Sequence, residues 1–201
     1  MTLTKTRPRI EAMDARLALR LAAARTARGQ TLDDLARASG VSRAMISRIE
    51  RGESSPTAMV LGRLAGGLGV TLSSLFAEVE GPTEPVAPWA LQPVWRDPET
   101  GYLRRNVAPS GTGSPLDIVR VELPAGARVT YPAATYTNRD HHILMISGRL
   151  RFENGDRSFD LEAGDCLWLP EVADSAYVNP GPGPAEYLVL VVRLPGFGRS
   201  A

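Results

Sequence analysis

This chain has very little histidine, cysteine or lysine. Its 201 residues include two histidines, one cysteine and a single lysine, Lys5. With Cys166 alone, no intrachain disulfide can form, and a reducing cytoplasm fits that usage. His141 and His142 are adjacent, so they cannot both point the same way from a strand. No run of about 18 apolar residues occurs, which excludes a helix crossing a membrane. There is no Ser/His/Asp or Cys/His constellation and no glycine-rich phosphate loop. Arginine therefore carries nearly all the positive charge. It suits bidentate contacts to phosphate and guanine, although arginine usage also follows genome composition.

Apolar residues make up 43% of the chain, enough for a packed core. The net charge of +1 is unevenly divided. Residues 1–80 carry twelve Lys/Arg and eight Asp/Glu, and residues 81–201 carry eleven and fourteen. A basic front half and an acidic back half suggest that only the front meets a polyanion.

Residues 1–12, with Lys5, Arg7 and Arg9, lack apolar periodicity and read as a mobile basic arm. Asp14–Arg28 places Leu17, Leu21 and Ala24 at helical spacing, and Gly29 ends that helix. The Arg-punctuated stretch Ala15–Ala27 has a transit-peptide texture, but it continues directly into a second helical pattern, which favours a folded helix. Thr31-Leu-Asp-Asp34 is a capping-box pattern opening a short helix that stops at Gly40. Ser42 can cap the next helix, which runs to Arg51. Thr57 and Thr71 can cap two more. The five helices give a helical domain over residues 13–80.

Residues 81–93 hold four prolines and read as a linker. Beyond it, Leu116–Leu123, His141–Ser147, Arg149–Glu153, Asp165–Leu169 and Glu186–Leu194 are strand-like. Gly and Pro punctuate them closely, as in an antiparallel sandwich or barrel. Residues 94–197 form this second domain, and Leu144, Ile146, Leu167, Leu169, Leu188 and Leu190 are expected to pack its interior. The fold class is α+β with two domains.

Between Thr31 and Gly52, two short helices cross with almost no room between them. Gly40 supplies the left-handed turn. Val41, Ile46 and Ile49 form the buried seam, so Arg43, Ala44, Ser47, Arg48 and Arg51 face outward. The pattern Val-Ser-x-x-x-Ile-Ser-x-Ile-Glu-x-Gly, then Ser-Pro-Thr and Leu-Gly-Val-Thr-Leu, resembles the phage-repressor, or xenobiotic-response-element, helix-turn-helix family from about Ala15 to Phe76. The resemblance implies that the second helix of the pair lies in the major groove of double-stranded DNA. Arg43, Ala44 and Arg48 would face base edges, and Thr31, Ser47 and Arg51 phosphates. Ser42, at the helix N-terminus, joins them as a backbone contact. Arginine reads guanine, and alanine can touch a thymine methyl. An isolated arginine cluster is usually a solvated face; here it sits on the helix that the motif projects outward.

Leu-Pro-Ala-Gly126-Ala, Met145-Ile-Ser-Gly148-Arg-Leu, Leu161-Glu-Ala-Gly-Asp165-Cys-Leu-Trp-Leu-Pro170 and Tyr177-Val-Asn179-Pro resemble the cupin family of small β-barrels, the double-stranded β-helix. That resemblance implies a metal site of several histidines and a glutamate, and this chain departs from it at each ligand. Tyr131-Pro-Ala-Ala134 replaces the first His region, His141 falls where the Glu is placed, and Ser175 where the last His is placed. No metal and no other cofactor are expected. Asp140, Glu153, Asp165 and Glu171 fall mostly in turns or at strand edges. Tyr131, His141, Met145, Trp168, Ser175 and Tyr177 are instead candidates for a small-molecule effector pocket. Each has a plainer reading as core, and His141 as a hydrogen-bonded interior residue. Cys166 reads as a small buried hydrophobe.

Three functions stay open. One is a DNA-binding regulator, a homodimer on a two-fold symmetric operator, whose barrel binds an effector. The second is a DNA-tethered cupin enzyme of dioxygenase or isomerase type, which metal content would distinguish. In the third, the barrel only dimerises.

Overall fold

In the computed structural model, residues 7–76, 84–109, 111–136 and 139–193 are described. Five helices come first: α1 (Arg7–Thr26), α2 (Leu32–Ser39), α3 (Arg43–Glu50), α4 (Ala58–Leu68) and α5 (Leu72–Phe76). α1 begins earlier than its apolar periodicity suggests. The arm expected over residues 1–12 is helical from Arg7, and residues 1–6 lie outside the described residues. Pro8 is compatible with this because a first turn needs no N–H from it.

Local chemistry sets the helix ends. The Thr31 hydroxyl accepts from the Asp34 N–H at 3.1 Å, and the Asp34 carboxylate accepts from the Thr31 N–H at 2.9 Å. This completes the capping box. Gly40 ends α2 at φ 67°, a conformation that costs a residue with a side chain. Ser42 and Thr57 cap α3 and α4, each hydroxyl accepting one backbone N–H, from Met45 and Val60. Leu17, Leu21, Leu35, Ile46, Ile49 and Leu61 are fully buried among these helices.

The second half holds ten strands: β1 (Val94–Arg96), β2 (Leu103–Asn106), β3 (Leu116–Leu123), β4 (Arg128–Tyr131), β5 (Arg139–Ser147), β6 (Arg149–Asn154), β7 (Arg157–Glu162), β8 (Cys166–Leu169), β9 (Ser175–Val178) and β10 (Ala185–Arg193). One 3-10 turn, Ala133–Tyr136, follows β4. All strand pairs are antiparallel and form a six-stranded sheet β1-β2-β3-β10-β5-β8 and a four-stranded sheet β4-β9-β6-β7. The expected barrel is not closed. Among the described residues no ladder joins the two sheets, so the domain is two facing sheets around a common interior.

The expected interior is also shifted by one residue on the central strands. Leu144, Leu188 and Leu190 are only half-buried and Ile146 is exposed; Leu169 is buried, and the half-buried Leu167 pairs with the inward Ile143 and packs on the core. The buried side chains are Ile143, Met145, Tyr187 and Val189. β5 and β10 are apolar on both faces, so alternation cannot choose the inward one. Trp168 and Cys166 are exposed for the same reason, because they pair in register with His142 and Leu144 on the outward face.

The two halves share one packed core. Trp95 of β1 is fully buried with its ring 5.7 Å from that of Phe76 in α5. The buried Asp97 carboxylate accepts from the Ala58 N–H at 3.1 Å, satisfying a donor in the first turn of α4. The Thr135 hydroxyl donates to the Gly62 carbonyl at 3.1 Å. Gly62 has no side chain for a reason visible here: a Cβ would lie 2.6 Å from Cδ1 of Tyr131.

Gly62→Ala tests this contact. Helix propensity alone would favour alanine by about 1 kcal/mol. The clash with a buried ring should reverse the sign, for a net loss of about 1–3 kcal/mol. Urea denaturation of the full chain should show the lower midpoint; a raised midpoint would mean that the interface yields easily.

Candidate nucleic-acid interface and interior cavity

α2 and α3 form a compact pair in which Leu35, Val41, Ile46 and Ile49 face inward. Arg25 of α1 braces it, reaching the Glu50 carboxylate through Nε at 2.7 Å and Nη2 at 2.8 Å. The hydrogen bond to Glu50 raises the Arg25 pKa further, so the guanidinium stays charged.

With the seam inside, Ser42, Arg43, Ala44 and Arg48 are exposed along α3, and Ser47 is half-buried. Arg43 lies 3.4 Å from the Asp33 carboxylate, with both side chains largely in solvent. Arg51 is held by Glu53 through Nε at 2.6 Å and Nη2 at 2.7 Å, and it also donates to the Ser47 hydroxyl. Exposed pairs of this kind are weak and easily exchanged for a phosphate. The Arg48 side chain makes no hydrogen bond or ion pair among the described residues, and its carbonyl accepts from the Glu53 N–H at 2.9 Å. Thr31 is exposed beside this face, with its hydroxyl committed to the capping box. All seven candidate DNA contacts thus belong to α2, α3 or their caps.

The six pocket candidates do not converge. Tyr131 and Tyr177 line an interior cavity of about 50 Å³ between the sheets. His141 lies behind it, fully buried, with its ring stacked on Tyr136 at 4.9 Å. Met145 is buried but does not line the cavity. Ser175 lines a separate groove with Arg128 and Glu153. Trp168 is on the outside, 55% exposed, with its indole N–H donating to Asp140. Sequence reading missed Tyr102, Arg104, Asp117, Tyr136, Arg139 and Tyr187, which also line the cavity, and Thr71 and Ser73 at α5, which border it from the helical half. The Tyr102/Arg104 alternation was a signal, but it sits on a strand too short to stand out.

Burial dominates the electrostatics. It raises the phenols of Tyr131, Tyr177 and Tyr187 well above their ordinary range and pushes Tyr136 up to about 12. All four stay neutral. Burial pushes His141 down to about 4, and the neighbouring His142 adds to this while Asp140 opposes it. Neutral His141 exchanges a hydrogen bond with the Tyr177 hydroxyl at 3.0 Å, and its Nδ1 has no partner.

This donor set does not fit a cupin-type metal. The one buried imidazole, His141, has its Nε2 already engaged by the Tyr177 hydroxyl. No group of three or more His, Cys, Asp or Glu converges among the described residues.

Comparison with known proteins bears on the helical half. Residues 21–75 match the HTH_3 helix-turn-helix family. The chain carries an HTH_3 domain. Over 62 residues, 31% of this chain, it is 45% identical to the HTH-type transcriptional regulator SutR of Escherichia coli K12. That match spans 35% of the relative. A crystal structure of an HTH_3 family transcriptional regulator from Vibrio cholerae aligns over 90% of this chain and 97% of its own, with 22% identity and a TM-score of 0.73. It shows that an HTH_3 domain followed by such a β domain is a known fold. A Cupin_2 domain of an XRE family regulator from Enterobacter cloacae aligns over 45% of this chain and 95% of its own, at 18% identity and a TM-score of 0.42, too low to carry an argument. No helix among the described residues is long and apolar enough to cross a membrane.

A buried neutral histidine makes stability depend on pH. The unfolded chain binds a proton near pH 6.5 and the folded chain only near pH 4, so stability falls as pH drops between these values. The loss from His141 should total about 3 kcal/mol. His141→Gln should flatten the pH dependence of urea midpoints in that window; an unchanged slope would place the titration elsewhere.

Proposed function

We propose that this chain is a transcription regulator that binds a two-fold symmetric duplex site as a homodimer and responds to a small organic effector held in its β domain. The observation that carries this reading is the outward face of α3. The exposed Arg48 side chain makes no hydrogen bond or ion pair among the described residues, Arg43 is loosely held, and Ala44 between them leaves room for close approach. Such a helix can enter the major groove, with Arg43 and Arg48 on guanine edges and Ala44 against a thymine methyl. Ser42, Ser47, Thr31 and Arg51 would fix the register on phosphates.

The outward face of the six-stranded sheet supports pairing of two copies. Leu144, Leu188 and Leu190 are half-buried there beside the exposed Ile146 and Trp168. A second copy covering that face would present two α3 helices to the two halves of an operator. The cavity supports the effector, and the poor metal donor set favours a binding role over catalysis.

Footprinting should reveal a protected inverted repeat. Arg48→Ala should weaken binding by about 1–3 kcal/mol and relax preference at one position per half-site. A uniform loss across sequences would make Arg48 a phosphate contact, and absence of any protected repeat would sink the proposal. Elemental analysis should find no stoichiometric transition metal, and a chelator should leave the melting temperature unchanged. One zinc, iron or manganese per chain would restore the enzyme reading.

A further inference from the structure

Three charged side chains line the interior cavity: Arg139, which donates to the Thr135 and Val70 carbonyls, and Arg104 and the half-buried Asp117, each of which has a buried polar atom without a partner. Arg104 on β2 is only 7% exposed. Its Nη2 donates to the Ser73 hydroxyl at 2.7 Å, and its guanidinium carbon lies 5.7 Å from the centre of the Phe76 ring. Its Nε has no hydrogen-bond partner, and no carboxylate among the described residues pairs with it. Asp117 on β3 lines the same cavity, and its buried Oδ2 is also without a partner. The two do not form an ion pair with each other. A buried cation and a buried carboxylate oxygen left open in one chamber are costly unless something completes both.

The surroundings limit what that can be. The cavity measures about 50 Å³, room for roughly four waters. The rings of Tyr102, Tyr131 and Tyr187 wall it; they tolerate a short apolar group, and the neutral phenols of Tyr131 and Tyr187 offer no counter-charge. We propose that the cavity binds a small zwitterion of the α-amino acid class, its carboxylate on Arg104 and its ammonium on Asp117. This rests on the effector reading above and names the ligand class. A plain carboxylic acid would leave Asp117 open, and a plain amine would leave Arg104 open. Because Arg104 also holds Ser73 at the start of α5, the ligand carboxylate acts on the side chain that links the β domain to the HTH_3 domain.

Calorimetric titration of the full chain tests this with glycine, L-alanine and L-serine, against propionate and ethylamine as half-ligands. The amino acids should bind, and each half-ligand should bind about ten- to hundredfold more weakly. Asp117→Asn, which keeps the side-chain shape, should lower amino-acid affinity by a similar factor. Arg104→Lys should also weaken it, and circular dichroism checks that both variants stay folded. Propionate binding as tightly as alanine, with Asp117→Asn silent, would overturn the zwitterion in favour of a simple anion. If no amino acid binds but another metabolite raises the melting temperature, the proposal fails and the effector reading stands. If nothing binds while DNA binding persists, both fail.

Discussion

The close approach of α4 to β4 and the 3-10 turn governs the arrangement of the rest. Gly62 lets the helix backbone reach the Tyr131 ring, and Thr135 then hydrogen-bonds the helix carbonyl beneath it. One turn earlier, at the first residue of α4, the Asp97 carboxylate beyond β1 accepts from the Ala58 N–H. These contacts are buried, so each polar partner needs the other. They fix the N-terminal half of α4 against the sheets through two successive turns.

From this follows the position of α5. It is carried across the opening between the sheets, where Arg104 and Asn106 reach Ser73 and where Arg139 donates to the Val70 carbonyl at 2.6 Å. The cavity is therefore bounded by both halves of the protein. Any occupant with different affinity for two placements of α5 would shift their populations, which is the thermodynamic requirement for an effector to reach the DNA-binding face. Neither half alone encloses the chamber.

The helices were largely legible because their ends are written in local chemistry. Thr31 with Asp34, Ser42, Gly40 and Thr57 each do in the structure what their residue type does in any chain. The long strands β3, β5, β6 and β10 were visible as apolar runs. So was the short β8, from the apolar run after Asp165; β1, β2, β4 and β9, of three or four residues, were not, nor was the largely polar β7. The inward face of β5 and β10 was misread because both faces are apolar, and that error took Ile146 inside with it. The choice of Trp168 and Cys166 as interior residues failed for a related reason: register with His142 and Leu144, a property of pairing, decides their side. The union of the two halves was the least legible feature. A proline-rich linker suggests independence, and Gly62 in sequence is simply a weak helix former.

That glycine restricts how freely this architecture can be shuffled. A helix-turn-helix grafted from another regulator would recognise its own operator, yet it would have to bring a residue without a side chain to the point facing Tyr131. An alanine or leucine there would have to displace the Tyr131 ring or push α4 off the sheet. Recombination between such regulators is thus constrained by the back of the DNA-binding domain as well as by its reading face, and chimeric sensors built on this β domain should be joined with α4 retained from the native chain.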